Sequence, residues 1–146
     1  MEDGFESAEN DFIDDSAMFH SGWKLDDGEV YAYQSGEIAG WSAHSGGMFL
    51  ELNGLEPGTI STNVTTVVDQ LYRLSFAYVK NPHADEPLEM NVKVGTVKNL
   101  TVVASTENLD ASMAWEMKEI EFIATETDTK IEFKSLEADE KGVMLD

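Results

Sequence analysis

The stretch Leu71-Tyr72-Arg73-Leu74-Ser75-Phe76-Ala77-Tyr78 decides how the rest of this chain reads. Its even positions carry Tyr, Leu, Phe and Tyr, while its odd positions include Arg73 and Ser75. Successive side chains of an extended strand point to opposite faces, so this spacing gives one buried face and one wetter face. Working outward, the same period of two recurs. Leu88, Met90, Val92 and Val94 alternate with Glu89, Asn91 and Lys93. Ile120, Phe122 and Ala124 alternate with Glu119 and Glu121, and Thr129, Ile131 and Phe133 with Lys130, Glu132 and Lys134. The spacing of three and four residues that marks an amphipathic helix is not sustained after Phe19.

Ser45-Gly46-Gly47, Asn53-Gly54, Glu56-Pro57-Gly58, Asn81-Pro82-His83, Lys98-Asn99 and Asp128 punctuate these runs with turn chemistry. Strands are expected near 3–6, 29–33, 47–53, 58–68, 71–80, 87–96, 99–104, 115–125 and 129–136, with a stub at 142–146. Many short alternating strands predict an all-β fold, a two-sheet antiparallel sandwich of the jelly-roll kind that fills residues 1–146 as one domain. The acidic opening lacks alternation, and Asp11 to Phe19 reads as one helical turn. Trp23 and Trp115 adjoin strands and are assigned to the core, where a large ring contributes most to a sandwich without disulfides.

Composition narrows the function. The 146 residues hold 29 Asp and Glu against nine Lys and Arg, a net charge of −20, with no cysteine. Lysines and arginines neutralise phosphates in nucleic-acid grooves and at anionic membrane surfaces, so neither partner is expected. Without cysteine there is no disulfide framework, thiolate zinc site or cysteine nucleophile. No apolar run approaches the roughly 20 residues of a membrane span. The opening Met1-Glu2-Asp3-Gly4 lacks a signal-peptide pattern and equally suits a piece of a longer secreted protein. Strong acidity fits a protein working in salt, where counterions screen self-repulsion.

Several ordered motifs resemble a known family. Gly40-Trp41, then Gly46-Gly47-Met48-Phe49-Leu50-Glu51-Leu52-Asn53-Gly54, then Pro57-Gly58-Thr59-Ile60-Ser61 is similar to the "GW … DLNG … PGTISQTF" run of certain bacterial surface proteins. Tyr72-Arg73-Leu74-Ser75-Phe76 with Asn81-Pro82, Trp115 before the strand ending Phe122-Ile123-Ala124, Ile131-Glu132-Phe133 and Gly142-Val143-Met144-Leu145-Asp146 continue the match. Asp3-Gly4-Phe5-Glu6 resembles the family's opening "NGDFE". The chain thus resembles the DUF642-like and choice-of-anchor group of galactose-binding-like jelly rolls, which are similar to carbohydrate-binding modules. It departs from the pattern at Glu51, where Asp is usual, and at Asn63, where Gln is usual. The resemblance implies a non-catalytic glycan-binding module of a bacterial extracellular or cell-surface protein, monomeric as an isolated domain. The alternative is a structural or protein-contacting module of an adhesin with no sugar site.

A sugar offers an apolar C–H face and a rim of hydroxyls, so its site combines exposed rings with side chains that donate and accept. Tyr33 and Trp41 are the candidate stacking residues, and His44, Asn81 and His83 the candidate hydrogen-bonding ones. A Trp that follows Gly at a strand start also suits a sandwich core. The resemblance further implies a calcium ion joining the first and last strands, with Glu6 and Asp146 as ligands and Asn53 or Glu51 beside them. Whether that ion clamps the fold or bridges to sugar hydroxyls is open at this level, as is the choice between loop edge and concave sheet. A hydrolase needs two facing carboxylates, and Glu86 with Glu89 is a pair the sequence supplies only by abundance.

Overall fold

The computed structural model describes residues 4–14, 18–20, 22–107 and 113–146. Twelve strands run along the described chain: β1 (Phe12–Ile13), β2 (Met18–His20), β3 (Trp23–Asp27), β4 (Val30–Gln34), β5 (Met48–Glu51), β6 (Thr59–Thr65), β7 (Leu71–Lys80), β8 (Leu88–Val94), β9 (Lys98–Ala104), β10 (Glu116–Ile123), β11 (Asp128–Ser135) and β12 (Val143–Leu145). They form two six-stranded sheets with orders β1-β4-β5-β12-β7-β10 and β2-β3-β6-β11-β8-β9, and every pairing is antiparallel. This is the expected two-sheet jelly-roll sandwich.

Alternation builds the core. Phe76 on β7, Met90 and Val92 on β8, Ile120 on β10, and Ile131 and Phe133 on β11 meet between the sheets with Trp23, Leu25, Leu50 and Ile60. Each such side chain removed from water contributes about 1.5–3 kcal/mol. The β7 run behaves as its period dictates, with Leu74, Phe76 and Tyr78 turned inward and Leu71, Arg73 and Ser75 exposed.

The first forty residues differ from expectation. Residues 4–6 form no strand, and β1 occupies part of the segment read as a helical turn, of which residues 15–17 lie outside the described ones. β3 is an unexpected strand, although Trp23 and Leu25 are buried and Lys24 is exposed, as period two requires. Its acidic end, Asp26-Asp27, leads into Gly28 at φ 68°, where a side chain would collide with the Pro57 carbonyl. The chain there leaves one sheet for the other.

Register places four outer-face positions side by side on the first sheet. Tyr31 on β4 pairs with Glu51 on β5, Glu51 with Met144 on β12, and Met144 with Val79 on β7. One step along, Tyr33 pairs with Phe49. This face is covered by the 35–47 loop and by Met113 and Trp115, forming a second apolar cluster of Trp41, Phe49, Val79, Met113 and Met144 with Tyr33, Ile38, Ala43 and Trp115 around it. Trp23 therefore lies in the inter-sheet core as expected. Trp115 does not: it is half-buried on the outer face and donates from Nε1 to the Ser42 carbonyl at 2.8 Å.

Candidate functional site

A groove of about 250 Å³ opens on this outer face, lined by Phe12, Tyr31, Tyr33, Ile38, Trp41, Glu51, Asn53, Asn81 and His83, with Gly54, Leu55, Glu140 and Lys141 at its end. Strands supply its floor and loops its walls. The antiparallel pairing of β4 with β5 sets Tyr31 and Tyr33 in one row, their rings 4.4 Å apart. Phe12, on the neighbouring β1, meets Tyr31 edge-on at 4.7 Å and is 45% exposed. Trp41 is brought over by a tight fold of its loop, in which its amide donates to the Ile38 carbonyl and its carbonyl accepts from Gly36. The Trp41 ring meets Tyr33 at 5.2 Å and His83 at 5.3 Å.

Polar groups converge beneath these rings. Glu51 is 3% exposed, and its carboxylate accepts from Tyr33 Oη at 3.1 Å, Asn81 Nδ2 at 2.7 Å and the Gly142 amide at 2.8 Å. Burial pushes the Glu51 carboxyl up to about 7, against the opposing effect of these hydrogen bonds, and the Asp139 charge adds to the rise. Burial, and then the Glu51 charge, hold the Tyr33 phenol well above its usual range. Asn81 Oδ1 accepts the His83 amide at 2.8 Å, which turns the loop and carries His83 to the exposed rim. Tyr31 Oη donates to Glu37 at 3.0 Å, and Glu37 also accepts from Asn10 Nδ2 and the Gln34 amide.

Four of the five sugar candidates, Tyr33, Trp41, Asn81 and His83, thus line one groove. Trp41 is 6% exposed, so it is packed as well as positioned. His44 lies apart: it is exposed and faces Trp115 at 6.4 Å, because the loop runs on past Trp41 before Gly46 turns it into β5. Glu51, Tyr31 and Phe12 belong to the groove and were not among the expected sugar residues. Their signal was present, a carboxylate at a strand position between buried Leu50 and Leu52, paired across the sheet with a tyrosine.

The expected metal residues separate into two places. Glu6 accepts from the Gly47 amide at 2.9 and 3.0 Å and from Met48 at 3.1 Å, and Asp146 Oδ2 accepts from Ser45 at 2.9 Å. A methyl group added at Gly4 would stand 3.2 Å from Asp146 Oδ1 and 3.3 Å from Glu6 Oε1, so both carboxylates face one point. Asp146 Oδ1 is buried without a hydrogen-bond partner. Burial raises the Asp146 carboxyl above its ordinary value, against the lowering effect of hydrogen bonds from the Ser45 and His44 amides and of the His44 charge, and the Glu6 charge adds a smaller rise. Asn53 is elsewhere: its Nδ2 donates to the Glu137 and Asp139 carbonyls and its Oδ1 accepts from Ser135. Among the described residues no group of three or more His, Asp and Glu converges. Glu86 and Glu89 are both exposed.

The family model described as "Protein of unknown function (DUF642)" matches residues 7–144. The chain belongs to the DUF642 family. Among curated relatives, this DUF642 chain is 28% identical over 153 aligned positions to Halomucin from Haloquadratum walsbyi. The match takes in 97% of the chain and 2% of Halomucin, so the chain spans a small fraction of that relative. Among solved structures, the DUF642 fold is similar to TmCBM61 in complex with β-1,4-galactotriose, with TM-score 0.57 and 18% identity over 86% of this chain and 85% of that one. It is also similar to the CBM22-1 xylan-binding domain from Paenibacillus barcinonensis Xyn10C, with TM-score 0.55 and 13% identity over 90% and 85%. At these identities the likeness establishes the sandwich fold.

Proposed function

We propose that the domain is a non-catalytic glycan-binding module of an extracellular or cell-surface protein, and that the outer-face groove is its sugar site. The convergence of Tyr31, Tyr33 and Trp41 with Glu51 and Asn81 on one groove carries the reading. Phenol faces offer an apolar platform for the C–H side of a sugar ring, while buried acceptors meet hydroxyl donors. Support also comes from the solved structures of like fold, one in complex with β-1,4-galactotriose and one a xylan-binding domain. An array of glycans probed with the purified chain in millimolar calcium, and again after chelation, tests it. A related set of bound glycans upholds the reading. A blank array with the chain shown folded in the same buffer favours a structural or protein-contacting module instead.

A calcium ion held by Glu6 and Asp146 belongs to the same proposal. The buried, unpartnered Asp146 Oδ1 and the facing Glu6 carboxylate suit a hard cation, with backbone carbonyls and water completing its shell. Asn53, committed to other bonds, is not among the ligands. Such an ion would tie the opening segment to the last strand.

A further inference from the structure

We infer that the groove prefers sugars bearing a free, protonated amine, hexosamines, over their neutral or N-acetylated counterparts, and rejects uronic acids and sulfated sugars. The inference rests on the glycan reading and deepens it. Glu51 is a buried carboxylate whose three hydrogen-bond partners, Tyr33, Asn81 and Gly142, are all neutral. The charge acting on it most directly is the like charge of Asp139. A buried anion without a cation is costly, and a ligand that brings the cation recovers that cost on binding.

The donor balance of the groove points the same way. Tyr31 spends its phenol proton on Glu37 and Tyr33 spends its own on Glu51, so both phenol oxygens are left as acceptors. Asn81 is engaged through Nδ2 and Oδ1 alike. Glu140 adds a carboxylate at the rim, against Lys141 as the lining's single lysine or arginine. Apart from the Trp41 indole, the rim imidazole of His83 and Lys141, what the groove presents is acceptors, negative charge and the faces of aromatic rings, and an ammonium group is complementary to all three. An anionic sugar would meet Glu51 and Glu140 in addition to a molecule of net charge −20.

Nuclear magnetic resonance titration of the intact chain at neutral pH tests this with the methyl β-glycosides of glucosamine and galactosamine, their N-acetylated forms and the parent neutral sugars. One charge per ligand keeps polyvalent attraction out of the comparison. At least one amine glycoside should bind about tenfold or more tightly than its N-acetylated form, a difference of about 1.4 kcal/mol. The preference should persist in about 1 M sodium chloride, where exposed charges are screened beyond about 3 Å. It should collapse to parity in Glu51→Gln. Should that variant fail to fold, shifts in the intact chain confined to the groove around Tyr33, Glu51 and Asn81 uphold the inference, and shifts scattered over the acidic surface overturn it. Equal or tighter binding of the N-acetylated or neutral forms overturns it while leaving the glycan reading intact. Absence of binding by every amine overturns it too, and a blank glycan array beside that result removes the underlying reading as well.

Discussion

Glu51 shows what a single buried carboxylate costs a sandwich. Its carboxyl is raised from an ordinary 4.5 to about 7, so the folded chain holds that proton more tightly than the unfolded one. The stabilisation is therefore complete below the unfolded value and is lost as pH rises through the folded one. The difference amounts to about 3 kcal/mol over that window. The stability of the native chain relative to Glu51→Gln should fall by that order between about pH 5 and about pH 8 in denaturant titrations; parallel profiles would mean that Glu51 ionises normally. The aromatic residues divide by exposure. Trp41→Ala empties a packed site at 6% exposure and should cost about 3 kcal/mol, lowering the thermal midpoint with or without ligand. Half-exposed Tyr31→Ala should leave the midpoint within a few degrees while weakening glycan binding about tenfold or more. A reversed pattern, calorimetry against binding, would make Trp41 the contact and Tyr31 the support. Sequence alone named Tyr33, Trp41, Asn81 and His83, which the fold brings to one groove, because turn residues mark the loops that carry three of them. Nothing in the spacing told that His44 would lie apart from them, since three residues of loop are enough to reverse direction.

At the level of strands, period two carried most of what could be foreseen. β7 spans Leu71–Lys80, the range its alternation indicates, and β8, β10 and β11 fall within two residues of expectation at each end. The opening segment was illegible for a physical reason. β1 and β2 are two and three residues long, too short to show a period, and β3 ends in Asp26-Asp27, where charge hides the alternation of Trp23 and Leu25. Partners distant in sequence hold these strands, Trp23 lying opposite Thr62 and Phe12 opposite Tyr31. β12 makes the same point at the other end, since three residues insert between β5 and β7 and close the sheet. Its last neighbour, Asp146, then stands beside Glu6, and a calcium ion there would restrain both ends of the chain. Calcium at about a hundred times its dissociation constant should stabilise the fold by about 2.7 kcal/mol, read as a rise in thermal midpoint reversed by chelation. Glu6→Gln and Asp146→Asn should each abolish the rise, whereas Asn53→Ala should lower stability and leave the calcium-dependent rise in place. An undiminished rise in both carboxylate variants would move the ion elsewhere.

Over the whole molecule, 29 carboxylates meet nine lysines and arginines, and few of the cations relieve the imbalance. Arg73 sits between Glu119 and Glu121 and Lys130 between Asp26 and Glu132, at 3.3 to 3.8 Å, while Lys80, 1% exposed, reaches Glu107 at 2.8 Å. The surface pairs of Arg73 and Lys130 contribute about 0–1 kcal/mol each, so they cannot offset repulsion summed over the surface. Unfolding separates the charges and relieves that repulsion, which makes self-repulsion a destabilising force that salt removes. The Debye length shrinks from about 30 Å at 0.01 M to about 3 Å at 1 M, shorter than the typical spacing of surface carboxylates. The thermal midpoint should therefore climb by several degrees as sodium chloride is raised across that range with a chelator present. Most of the gain should come early, because screening grows with the square root of ionic strength. Glu51, buried and shielded from mobile ions, should contribute almost nothing to the gain, so Glu51→Gln should shift the curve without changing its shape. A midpoint that is flat or falls with salt would mean that the surface charges are already compensated by local contacts. In that case the acidity would have to be explained by what the surface binds.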